Sequence, residues 1–326
     1  MSRCGHVGVC GWLKITGLIF VGTSQAVTKA LQCLRGKTKG VEPRRRAGTG
    51  DQTGDRLVGQ TALVTGAGRG LGRAIAMNLA AEAAAVVVIA LSTPQVIETV
   101  ALIKRSGGQA LGVAMDVTYL TTFERTVAET SETFGSIDLL VNNAGVIAPL
   151  GPAWQVSMGE WWRLMETNVR GPINGAHAVL PAMTAARSGR IVNIVSGVGL
   201  QSVENMSAYA TSKAALIRLT EALAIDAADY GVAVFAVDPG YMTTAMSHYL
   251  SYSAAGQQWT PQAASIFGTP AHVPVERAAG LVATLATGVA DKLTGRFLTV
   301  WDDIDDLARR ADHIVAEDLY AMRLRR

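Results

Sequence analysis

A tyrosine and a lysine stand four residues apart in "SAYATSKAAL", residues 207–216. A phenol of ordinary pKa, near ~10, is a poor base at neutral pH. A lysine ammonium one helical turn further on shares its face and favours the phenolate. Tyr209 and Lys213 together could therefore pass a proton to or from an alcohol oxygen. Two unrelated side chains on a helix surface would show the same spacing, so the pair needs context. Context comes from "TGAGRGLG", residues 65–72, which follows an apolar run and opens a helical pattern. Glycines in that setting let the backbone turn tightly and approach a pyrophosphate seated on the N–H groups of the helix start. Gly66, Gly68, Gly70 and Gly72, with Arg69 and Leu71 between them, are expected to cradle a dinucleotide.

The elements that must position these residues are legible as apolar runs. "TALVTG", "AVVVIAL", "ALGVAMD", "IDLLVNN", "RIVNIVS", "VAVFAVD" and "RFLTV" predict seven buried strands. Helical patterns over 70–82, 94–106, 119–134, 157–187, 207–230 and 275–287 lie between them. Continuous apolar strands alternating with helices predict an α/β fold, a doubly wound parallel sheet covered on both faces. Ligands in such sheets bind outside the carboxyl ends of the strands. The glycine loop, Asp116, residues 142–145, Ser196 and residues 238–240 all fall there.

In that order, the glycine loop, "NNAG" at 142–145 and Tyr209-x-x-x-Lys213 resemble the short-chain dehydrogenase/reductase family, over residues 57–300. The resemblance implies a Rossmann-type single domain and an oxidoreductase that moves a hydride between a nicotinamide cofactor and an alcohol or carbonyl. It implies that Tyr209 is the acid/base and that Lys213 also binds the nicotinamide ribose. Ser196, thirteen residues before Tyr209, would polarise the carbonyl oxygen. Asn168, in "METNVRG", would hold a water relaying protons from Lys213 to solvent. Asp116 would meet the adenine, with Val117 beside it. Asn143 would place its backbone near the adenosine ribose, with Ala144 and Gly145 completing the turn. Pro239, Gly240, Met242 and Thr244 would grip the nicotinamide carboxamide, Thr244 being preferred to Thr243.

The second strand ends at Ala90, where an NAD enzyme usually carries an acid for the ribose hydroxyls. Arg69 and Ser92 are placed to meet a 2′-phosphate, so NADP is favoured, with NAD as the alternative. Gly197, Val198, residues 203–206, Trp154 and the chain from Tyr241 onward are expected to line the substrate side. Being mostly apolar, they suit a neutral, fairly apolar secondary alcohol or ketone. Residues 241–274 read as a lid, with His248 on its surface. The acids Asp302, Asp303, Asp305 and Asp306 read as a helix N-terminus and not as a metal site. The helical tail 301–326 departs from the family's usual ending, so a dimer through the two long helices competes with the tetramer. A dinucleotide-binding regulator without turnover is the alternative function, although its usual sign, a broken catalytic set, is absent.

Residues 1–56 differ from the rest. Nine Lys/Arg stand against Glu42 within the first fifty residues, leaving the body net acidic and without a global pull toward nucleic acid. The apolar run "ITGLIFVGTSQAV" is short for a membrane span, so a disordered or targeting extension is expected. All three cysteines, Cys4, Cys10 and Cys33, lie in this leader. A cysteine-free body suits a reducing compartment, and a cytoplasmic location is expected.

Overall fold

The computed structural model describes residues 13–15, 18–20, 55–266, 269 and 271–323. The three cysteines and nearly all of the basic leader lie outside them.

Seven parallel strands form the body: β1 (Thr61–Thr65), β2 (Ala85–Ala90), β3 (Gln109–Ala114), β4 (Leu139–Asn142), β5 (Gly189–Ile194), β6 (Val232–Asp238) and β7 (Phe297–Thr299). Their order across the sheet is β3-β2-β1-β4-β5-β6-β7. The order reverses between β1 and β4, which opens a crevice at their carboxyl ends. Two three-residue strands of the leader, Leu13–Ile15 and Leu18–Phe20, pair antiparallel with each other, and the second lies parallel to β3. The sheet therefore counts nine strands where seven were expected; the added pair is too short to show a periodic pattern.

Alternate residues of each strand enter opposite layers, as the strand period of two requires. Val64, Val88, Val192 and Phe235 face one core, against helices α1 (Gly70–Ala81), α2 (Thr93–Arg105) and α9 (Val275–Ala286). Leu63, Val87, Leu140 and Val234 face the other, against α3 (Leu120–Phe134), α5 (Gly171–Ala186) and α6 (Ser207–Asp226).

The long helix expected over 157–187 is interrupted. It comprises α4 (Met158–Met165), a π-helical turn at Glu166–Arg170, and then α5. Ser157 caps its start by accepting from the Glu160 N–H. The segment read as a lid holds α7 (Ala245–Tyr252), α8 (Ala254–Trp259) and a 3-10 turn at Pro261–Ile266. The tail is two short helices, α10 (Ile304–Arg309) and α11 (Ala311–Ala316), where one was expected. Ile304, Leu307, Ala311 and Ile314 bury its apolar side in the first core. Asp303 caps α10 through the Asp306 N–H, while Asp302 accepts from Thr299 N–H at 2.6 Å. Two of the four clustered acids thus serve backbone turns.

Candidate active site

The ends of β1 and β4 are laced together. Thr65 Oγ1 accepts from the N–H groups of Asn143 and Ala144, both at 3.0 Å. Asn143 Nδ2 donates to the carbonyls of Thr65 (2.9 Å) and Gly66 (3.3 Å). Its side chain therefore braces the glycine loop, leaving the backbone to face a ligand. Gly66 sits at φ +65°, the left-handed region glycine tolerates. A Cβ on Gly72 would collide with the Gly66 carbonyl and the Asn143 amide.

Arg73, which the motif search did not weigh, fixes the loop from outside. It donates to the Gly68 carbonyl and pairs with Glu98 at 2.6 Å. Arg69 is exposed, and no carboxylate pairs with it among the described residues. Beyond β2, Leu91 is 76% exposed, and Ser92 precedes α2 with its hydroxyl making no capping bond. Asp116 caps its own turn by accepting from Thr118 N–H at 2.9 Å. Val117 is buried against Gly171.

Tyr209 and Lys213 lie on α6, both buried. Lys213 Nζ donates to the Ile194 carbonyl at 2.9 Å and lies 5.5 Å from the centroid of the Tyr209 ring. Burial pulls Lys213 down to about 8, with Asp238 opposing. Burial first, and Asp238 second, push the Tyr209 phenol well above its ordinary range, while the nearby Ser196 hydroxyl opposes them. The sequence predicted a phenol lowered by its lysine; the protein alone raises it. The reason is burial of the ring together with the Asp238 carboxylate, and both disfavour a second negative charge.

Asn168 sits in the π turn and is fully buried. Its Oδ1 accepts from Val146 N–H (2.9 Å), and its Nδ2 donates to Val146 O (2.9 Å) and Ser212 Oγ (3.0 Å). Ser212 Oγ donates in turn to the Tyr209 carbonyl at 2.8 Å. The Asn168 side chain thus joins the turn after β4 to α6. π turns of this kind concentrate at functional sites, yet nothing in a helical sequence pattern announces them.

Asp238, at the end of β6, belongs to the site although it was read only as part of a turn. Its Oδ2 accepts from Gly197 N–H (2.9 Å) and its Oδ1 from Gly240 N–H (3.0 Å). Thr244 opens α7 in a capping box with Ser247. Thr243 is exposed and shares a 2.8 Å hydrogen bond with His272.

One cavity of about 770 Å³ gathers these groups. The glycine loop, Arg69, Ser92, Asp116 and Val117 form one end. Asn143, Ala144, Gly145, Ser196, Tyr209 and Lys213 form the middle, with Pro239, Gly240, Met242 and Thr244 beside them. Asn168 stands behind this wall and is not part of the lining. The end away from the glycine loop is mostly apolar, with Ile147, Val198, Val203, Met206, Met246 and Leu250, and with Thr260 and Gln262 among its polar residues. Trp154 was expected there, but it is 84% exposed and lies outside the lining. His248 is exposed and rests against Tyr252, with ring centroids 4.7 Å apart.

The cavity fits a dinucleotide on two observations. Its glycine loop leaves no room for a side chain at Gly66, Gly68 or Gly72, and its length joins that loop to Tyr209.

Comparisons agree. An uncharacterized oxidoreductase of Thermotoga maritima is 40% identical over 182 residues, 56% of this chain and 71% of that one. A 3-oxoacyl-(acyl-carrier-protein) reductase of Staphylococcus epidermidis is 34% identical over 242 residues, 74% of this chain and 97% of that one. An NAD+-bound xylitol dehydrogenase superposes with a TM-score of 0.69 at 30% identity, covering 74% of this chain and 98% of that one. A gluconate 5-dehydrogenase from Burkholderia cenocepacia, in complex with NADP and tartrate, gives 0.68 at 30% identity, covering 76% and 95%. The family profile for short chain dehydrogenases matches residues 60–254, and the chain belongs to that family of nicotinamide-dependent oxidoreductases.

Proposed function

We propose that the protein interconverts a neutral, fairly apolar secondary alcohol and its ketone, with NADP preferred to NAD. The observation that carries this proposal is the placing of Tyr209, Lys213 and Ser196 on one wall of a cavity whose substrate side is mostly apolar. A bound nicotinamide dinucleotide would supply or take up the hydride at the substrate carbon. In the reductive direction Tyr209 offers a phenol that burial keeps protonated, ready to donate to the carbonyl oxygen. Ser196 polarises that oxygen. Lys213 stays cationic below about pH 8 and offsets the phenolate left behind. Asn168 holds the turn after β4 against α6, so Tyr209 and Lys213 keep their register.

Arg69 and the uncapped Ser92 hydroxyl support a 2′-phosphate, and Ala90 supplies no acid to repel one. Three of the relatives are named for 3-oxoacyl-(acyl-carrier-protein), xylitol and gluconate. Among the described residues, Arg69 and Lys213 are the cations in this cavity's lining, beside the glycine loop and Tyr209. That lining supports a neutral substrate. For assembly we propose a homodimer through α4–α5 and α6, whose exposed Trp162, Ile173 and Ile225 need cover. Light scattering checks this, and a monomer would remove it. No helix among the described residues is long and apolar enough to cross a membrane; a cytoplasmic location is proposed on the cysteine-free body.

The test is a screen of neutral ketones, neutral secondary alcohols and acidic analogues with NADPH and NADH. Turnover confined to neutral compounds and faster with NADPH is expected. Faster turnover of carboxylate substrates would contradict the substrate class, and faster turnover with NADH the cofactor.

A further inference from the structure

Asp238 is an ionisable group of the cavity that the chemistry above leaves without a task. Its bond to Gly240 N–H, two residues on, is an ordinary local turn. Its bond to Gly197 N–H spans 41 residues and is not local. Gly197 directly follows Ser196 at the end of β5, and Gly240 lies in the turn after β6. One carboxylate thus ties together the loops that carry two parts of the site. The fit is close, since a Cβ on Gly197 would stand 3.2 Å from Asp238 Oδ2.

We propose that Asp238 is a positioning residue, holding the Ser196 turn in register with the 239–240 turn and setting the charge around the Tyr209–Lys213 pair. This rests on the proposed reaction. The groups facing Asp238 are Lys213 and Tyr209 from α6 and the amides of Gly197 and Gly240. Lys213 opposes the upward push that burial gives the Asp238 carboxyl, as do the two amides. In return the Asp238 charge favours the protonated form of both Tyr209 and Lys213. Ketone reduction needs both protons in place, so its rate falls as pH rises past about 8, where Lys213 titrates. Without the charge, both protons leave at lower pH, and the alkaline limb must move down.

The test compares Asp238→Asn with wild type in the full chain, using the best neutral ketone and NADPH. An amide oxygen can still accept one of the two N–H groups, but it carries no charge. The expected result is a kcat about tenfold lower at pH 7, a KM changed less than about twofold, and an alkaline limb moved to lower pH. A limb that stays in place overturns the proposal, because a merely structural role lowers kcat at every pH alike. If the variant does not fold, wild-type protein loaded with NADP still decides. The backbone amide resonances of Gly197 and Gly240 must shift together, with one midpoint, as acid protonates Asp238. Separate or absent shifts overturn the tether. This second measurement needs no turnover, so a wild type inactive on every ketone would sink the proposed reaction and leave the tether to be judged alone.

Discussion

The two ends of the cavity work by opposite physics. At the catalytic end Tyr209, Lys213 and Asn168 are buried, and each is anchored to backbone or ring. Little of these side chains meets solvent, so charges there act strongly, and the protonation of Tyr209 and Lys213 moves away from ordinary values. At the ribose end Arg69 and Leu91 are exposed, and the Ser92 hydroxyl makes no capping bond. Charges there act through water and are screened by salt. Substitutions at the first end should therefore alter turnover by orders of magnitude. Those at the second should alter cofactor choice by modest, salt-dependent factors.

The largest expected effect among the first tests is that of Lys213→Met. Turnover should fall by about 10³-fold, within the range for lost acid–base assistance. Stability should move the other way. Burial holds Lys213 near 8, below its unfolded value, so its charge costs folding free energy, a penalty complete below pH 8 and removed as pH rises toward the unfolded value. Chemical unfolding at pH 7 should show Lys213→Met more stable by about 1 kcal/mol. A destabilised variant would mean that the bond to the Ile194 carbonyl outweighs desolvation.

Next in size is Arg69→Glu. The KM for NADPH should rise about tenfold, the scale of one exposed charge-assisted contact, while that for NADH changes less than about twofold. Raising the salt concentration should shrink the wild-type preference for NADPH. Equal effects on both cofactors would place the 2′-phosphate elsewhere. The smallest effect belongs to Trp154→Ala, which should change kcat/KM less than about twofold, since the ring lies outside the cavity. A large loss would restore Trp154 to the substrate side.

Much of this was legible because the inner body strands are buried on both faces and read as unbroken apolar runs. The glycine loop was legible because its backbone needs a residue type that few other settings demand. The π turn at Glu166–Arg170 was not, since an extra residue per turn leaves a helical pattern nearly unchanged over five residues. Asp238 was seen as a turn residue, because its bond to Gly197 depends on how β5 and β6 pair. Trp154 was misplaced because an aromatic on a loop after β4 looks the same facing a pocket or facing water. The raised phenol of Tyr209 follows from burial and from a carboxylate distant in sequence, neither of which the four-residue spacing contains.

The most direct measurement is Tyr209→Phe, with NADPH binding followed by fluorescence and ketone-dependent NADPH oxidation followed by absorbance. The phenol is assigned to proton transfer and Lys213 to the ribose. Binding should therefore stay within about twofold of wild type while turnover drops by at least about 10²-fold. Turnover that survives with binding intact would contradict the account at its centre.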